Sequence, residues 1–242
     1  MVSTRTRTDA PWEPPVLLAA VNAAGYMDGG PRLSLDEHRL YFSSNRPSPC
    51  GGSGTLDLWV SRRHDRGDNL GWEPPVNLGC QSNGGVNSSA NDVGTSFFED
   101  ETGTVIMYFA SNRVASQAFD VYQSRMRDDD TFGPATPVSE LNTPFWDRAT
   151  AIRRDGLEIV VESNRLGTLG RADLWTATRE STEDPWPALS NLTILNTSAN
   201  DNFMGMSFDG RSLYFASWRD SETSGMDIYV STRERLHGGK KK

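Results

Sequence analysis

The sequence predicts an all-β fold, a small β-propeller of four four-stranded blades. Three observations carry this reading. One set of motifs recurs four times in the same order. Turn-forming residues are dense, with 22 Gly and 13 Pro in 242 residues. Only 36% of residues are hydrophobic, and the apolar runs are short and rich in aromatic and β-branched side chains, which suits many short strands better than long helices.

Each repeat has four parts. Trp12-Glu-Pro-Pro-Val16 returns as Trp72-Glu-Pro-Pro-Val76, Phe132-Gly-Pro-Ala-Thr-Pro-Val138 and Trp186-Pro-Ala-Leu189, after 60, 60 and 54 residues. An Asn-to-Asp segment follows: Asn22 to Asp28, Asn87 to Asp92, Asn142 to Asp147, and Asn196 to Asp201. Then comes a hairpin closing on Ser-Asn-Arg or a variant of it, at Arg46, Arg113, Arg165 and Arg219. Last is an aromatic strand opened by Asp57, Asp120, Asp173 or Asp227. These parts read as strands A, B, C and D. Asp155-Gly156 and Asp209-Gly210 are two-residue hairpin signals joining A to B. A single four-stranded sheet cannot bury both faces alone, so the copies must stack radially.

The ends of the chain suggest how the ring closes. The last copy has A, B and C but no D. The first D strand, Pro14 to Leu18, has no A, B or C of its own. Pairing it with the C-terminal blade is expected to close the ring and remove two open edges. Val2-Ser-Thr-Arg5 copies Val230-Ser-Thr-Arg233 and is redundant in such a ring. It is either a loose tail or a sign that the chain is a piece of a five- or six-bladed propeller. The expected organisation is one propeller domain over 1–242, with repeats at about 12–71, 72–131, 132–185 and 186–235 and a tail at 236–242.

The hairpin S-x-D-G-x-x-L-Y-F-x-S-N-R, followed by D-I/L-Y/W-V-S, resembles the WD40-like PD40 repeats of TolB-like propellers over about residues 12–235. The resemblance implies a bacterial, periplasmic or cell-surface propeller that binds proteins or other macromolecules; some related propellers are enzymes. The sequence departs from the pattern at Trp218, where Asn is expected, and at Asp100 to Thr104, where the A–B turn is expanded.

Charge and composition narrow the partners. A net charge of −8 argues against nucleic acid or anionic membrane as a ligand. No apolar run is long enough to span a membrane, and no apolar leader segment is visible at the N-terminus. A monomer is expected. Cys50 and Cys80 lie outside any C-x-x-C motif and the three histidines are scattered, so no zinc site is expected.

Strand parity places the B–C and D–A connections on one face. The Asn-to-Asp segments, the Ser-Asn-Arg segments and both cysteines fall there. A Cys50–Cys80 disulfide, implying an oxidising compartment, and two free thiols are both compatible with the sequence. Asp28, Asp92, Asp147 and Asp201 could form a ring that binds a polyhydroxylated ligand or a structural cation such as calcium. Equally, each could pair with the Arg of its own blade, as features repeated in every blade usually serve the blade.

Residues that break the repeat are the sharper functional candidates. Tyr26, Trp146 and Phe203 are placed in or near D–A loops, and Trp218 replaces the Asn of Ser-Asn-Arg. Their rings could stack on sugars or anchor a protein, or else plug the channel or pack between blades. Glu162 stands where other blades have Ser43, Ala110 and Ala216. It is a weak catalytic candidate with a raised pKa, with an ion pair to Arg148 as the alternative. The leading expectation is a non-catalytic module binding a protein or glycan without a cofactor. The alternatives are a glycoside hydrolase or polysaccharide lyase, and an architectural propeller cut from a larger surface protein.

Overall fold

The computed structural model describes residues 1–7, 9–114, 118–220 and 225–234; the expected tail lies outside them. Four antiparallel sheets follow one another as blades. Blade 1 holds β1 (Asp28–Leu33), β2 (Arg39–Ser44), β3 (Asp57–Arg62) and β4 (Val76–Asn77). Blade 2 holds β5 (Asp92–Glu99), β6 (Val105–Ser111), β7 (Asp120–Arg125) and β8 (Thr136–Pro137). Blade 3 holds β9 (Asp147–Ile152), β10 (Glu158–Ser163), β11 (Asp173–Thr178) and β12 (Ser190–Asn191). Blade 4 holds β13 (Asp201–Met206), β14 (Ser212–Ser217) and β15 (Asp227–Thr232). The order within each sheet is sequential, as in an up-and-down blade.

Local chemistry accounts for the turns and edges. Gly156 (φ 71°) and Gly210 (φ 67°) supply the left-handed residue that the tight A–B turns need. In blade 1 Glu37 takes that conformation instead (φ 62°), with the preceding Asp36 side chain accepting the His38 N–H. The outer strands β4, β8 and β12 are only two residues long. Prolines flank or occupy them and cannot donate to a ladder, which confines them to the edge.

The core lies between blades. Tyr41 and Leu58 of blade 1 pack with Phe97 and Phe109 of blade 2. Phe98 and Val121 of blade 2 pack with Ile159 and Val161 of blade 3. Val160 and Leu174 of blade 3 pack with Met204 and Phe215 of blade 4. Each central strand is therefore apolar on both sides, as the sequence predicts.

The fourth junction differs. Asp92, Asp147 and Asp201 donate their backbone N–H to Leu56, Phe119 and Ala172 of the preceding blade. Asn87, Asn142 and Asn196 bond both backbone groups of Leu58, Val121 and Leu174. The matching bonds from Asp28 and Asn22 to Met226 and Ile228 do not form among the described residues. The Asn22 Oδ1 is buried without a hydrogen-bond partner, and Ile228 is 81% exposed.

The expected closure by Pro14–Leu18 is corrected accordingly. Val16 exchanges two backbone hydrogen bonds of 2.8 Å with Val2, not with blade 4. Leu18, Val21 and Val2 then pack on Leu40, Phe42 and Trp59 of blade 1. Blade 4 thus has three strands among the described residues, and Val2–Arg5 is no loose tail. The physical reason is loop entropy: Val2–Arg5 repeats the sequence of strand C, and meeting it closes a far shorter loop than reaching the other end of the chain.

Candidate functional site

The repeated polar residues form one clamp per blade. Arg46, Arg113, Arg165 and Arg219 donate through Nη2 to Asp28, Asp92, Asp147 and Asp201 at 2.6, 2.7, 2.6 and 2.7 Å. The same Nη2 reaches the carbonyl of Val21, Val86, Leu141 or Leu195. Each Arg Nε and backbone N–H bond the hydroxyl of the Ser two residues earlier. Each guanidinium also lies over aromatic rings of its own blade, such as Tyr122 at 4.5 Å and Tyr229 at 4.7 Å. The second oxygen of each Asp accepts the loop N–H of Ala23, Ser88, Thr143 or Thr197.

Both oxygens of the four aspartates are therefore engaged, and Asp92, Asp147 and Asp201 are fully buried. Each therefore ties its own blade together, through its Arg and through the loop that precedes it. No group of three or more metal-ligating side chains occurs among the described residues. Burial pushes the carboxyls of Asp28 and Asp201 up. The hydrogen bonds from Ser44, Ala23 and Arg46, and from Ser217, Arg219 and Thr197, together outweigh it and hold both below the usual range.

The Asn of Ser-Asn-Arg completes the clamp. Asn45, Asn112 and Asn164 accept the backbone N–H of Met27, Asn91 and Trp146 at 2.7–2.8 Å. In blade 4 Trp218 stands in that place. Its backbone still donates to Asn200, but the side-chain acceptor is gone and the ring is 48% exposed. Trp146 is 52% exposed, and Tyr26 and Phe203 are also exposed. All four rings lie at the B–C/D–A end and are not buried as plugs. Phe203 is within β13 rather than a loop, at a bulge, with φ 47°.

Glu162 is buried (3% exposed). One oxygen pairs with Arg148 Nη2 at 3.0 Å and the other accepts the Phe203 N–H at 3.5 Å. The Arg148 guanidinium also lies 5.2 Å from the Phe203 ring. Burial pushes the Glu162 carboxyl up despite Arg148. Cys50 and Cys80 are joined by a disulfide, with Cα atoms 4.9 Å apart. Sequence reasoning missed Arg32, which projects where the other inner strands carry small residues. That comparison of inner strands was the available signal.

Fold and face together define a small propeller with a structural frame at every blade and unrepeated aromatic residues at one end. Solved structures share this fold. A thermostable family-43 glycoside hydrolase has a TM-score of 0.64 at 13% identity, covering 95% of this chain and 80% of that one. An endo-arabinase from Bacteroides thetaiotaomicron has a TM-score of 0.56 at 15% identity, covering 86% and 75%. An alpha-L-arabinofuranosidase from Lactobacillus brevis has a TM-score of 0.56 at 13% identity, covering 84% and 71%. No family model and no curated protein matches the chain. The propeller stands, while the PD40/TolB assignment finds no support: the motifs that suggested it encode clamps and hairpins, which report on blades and not on ancestry.

Proposed function

We propose that the chain is a carbohydrate-handling propeller that holds a glycan on its B–C/D–A face. The observation that carries the proposal is Trp218. Three blades use an Asn there to tie down the A strand, and blade 4 gives up that hydrogen bond for an exposed ring. Flat aromatic rings beside polar loop groups suit stacking on sugar rings. Similarity in fold to glycoside hydrolases favours a glycan over a protein ligand. The test is a glycan array followed by calorimetry on any binder. Trp146→Ala and Trp218→Ala should each weaken binding by about tenfold or more, as loss of a stacked ring does. Unchanged affinity in both variants would sink the proposal.

Glycoside hydrolysis is the second reading, favoured by the same neighbours and by Glu162, whose raised carboxyl suits a general acid. It requires a second carboxylate about 5–9.5 Å away. The clamp aspartates are engaged. The Asp120 carboxylate makes no hydrogen bond among the described residues, and burial, with the nearby Asp147, raises it; it adjoins Phe119, whose ring lies near Arg148. Sugar release from arabinan, galactan or xylan that is abolished in both Glu162→Gln and Asp120→Asn would establish catalysis. Release unaffected by either variant would remove these residues from it. The disulfide fits an extracytoplasmic site of action.

A further inference from the structure

Arg32 interrupts the repeat inside the channel. In strand register it matches Ser96, Ala151 and Gly205 of the other inner strands. A long cation thus stands where three blades keep small side chains. Its Nε donates to Thr95 O of blade 2 at 3.2 Å and its Nη2 to Met204 O of blade 4 at 3.0 Å. Gly205 makes room for it, since a Cβ at 205 would lie 2.9 Å from Nη1. Each motif arginine has an aspartate partner. Arg32 has only backbone carbonyls, and no carboxylate lies within ion-pair reach of it among the described residues.

Two cavities meet at this side chain. One, of about 730 Å³, is walled by Leu33, Phe97, Phe208 and Arg154. The other, of about 620 Å³, is walled by Thr150, Phe203 and Tyr214. Pro31, Arg32 and Tyr214 border both. The charged groups bordering them are Arg32 and Arg154, both cations, in a chain whose net charge is −8. A half-buried guanidinium without a counter-ion acts through low-dielectric walls and attracts an anion strongly. Its planar fork fits a carboxylate better than a neutral hydroxyl. Phe203 belongs both to the exposed aromatic set and to the second cavity wall, so ring stacking and anion binding share one continuous space.

We infer that the channel selects an acidic glycan, a uronic-acid residue placing its carboxylate on the Nη1 edge of Arg32. This rests on the glycan reading above. The test is calorimetry with a panel of oligouronides, their methyl esters and neutral arabinan oligosaccharides. An acid should bind about tenfold or more tighter than its ester, as a charge-assisted hydrogen bond implies. Arg32→Gln should bring the acid down to the ester's affinity and leave the ester unchanged. Gly205→Ala, which keeps the charge but displaces the guanidinium, should act in the same direction and serves if Arg32→Gln does not fold. Equal binding of acid and ester by the wild type overturns the inference, as does indifference of the acid to both variants. Binding of neutral oligosaccharides alone overturns it while the glycan reading stands. If no oligosaccharide binds, both fail.

Discussion

At Trp218 a ring has replaced an amide that elsewhere fixes the start of the inner strand. Trp218→Asn should restore the bond to the Asn200 N–H, raise stability by about 0.5–1.5 kcal/mol in chemical denaturation, and weaken glycan binding. Stability and affinity rising together would contradict the role given to the ring. Glu162 makes a second prediction. Its carboxyl is raised by burial in the folded state. Its contribution is therefore fully present below the ordinary value of 4.5 and fades as pH rises through the folded value. Glu162→Gln should gain stability over the wild type progressively above pH 4.5 and then level off; a constant difference would show that burial does not penalise the charge. Both residues were legible because a repeat makes deviations visible. What each deviation does was legible only in part: the sequence offered the Glu162–Arg148 ion pair as an alternative, whereas the tie from Glu162 to the Phe203 N–H and the place of Phe203 inside a strand depend on bulges in β9 and β13 that shift the register.

At the scale of the element, the clamp explains why the motifs recur. Removing one partner leaves a buried charge unpaired, so Asp147→Ala should cost about 3–5 kcal/mol, read from urea denaturation; a loss within the range of a surface mutation would mean the clamp is decorative. The lowered carboxyls of Asp28 and Asp201 give acid sensitivity. Their contribution is present above the ordinary value of 3.8 and is lost as pH falls through their folded values, so melting temperature should drop in that window. The disulfide ties the B–C loop of blade 1 to the following D–A loop. Its sequence separation of 30 residues corresponds to about 3–4 kcal/mol in the chain-entropy account. A melting temperature unchanged by reductant would count against this. Parity of the strands put both cysteines on one face, but their separation depends on loop paths that no motif encodes.

For the whole molecule, the blades were legible and their closure was not. The segment Pro14–Leu18 faces two copies of Val-Ser-Thr-Arg, at 2–5 and at 230–233. Local chemistry cannot choose between identical partners, and loop length decides. Among the described residues the seam this leaves lacks the backbone and Asn bonds of the other three junctions, so amide exchange should begin in β14 and β15 and reach β6 and β10 last; uniform protection would show the seam to be as firm as the rest. Among the described residues β15 carries no fourth strand on its outer edge, beside an exposed Ile228, and this also has a consequence between molecules. The Pro14–Leu18 strand of one copy can settle on the Val-Ser-Thr-Arg of the next, and a head-to-tail contact of that kind has no symmetry to stop it. Concentrated solutions should therefore grow open-ended chains visible by light scattering, and Ile228→Lys should hold them to single rings.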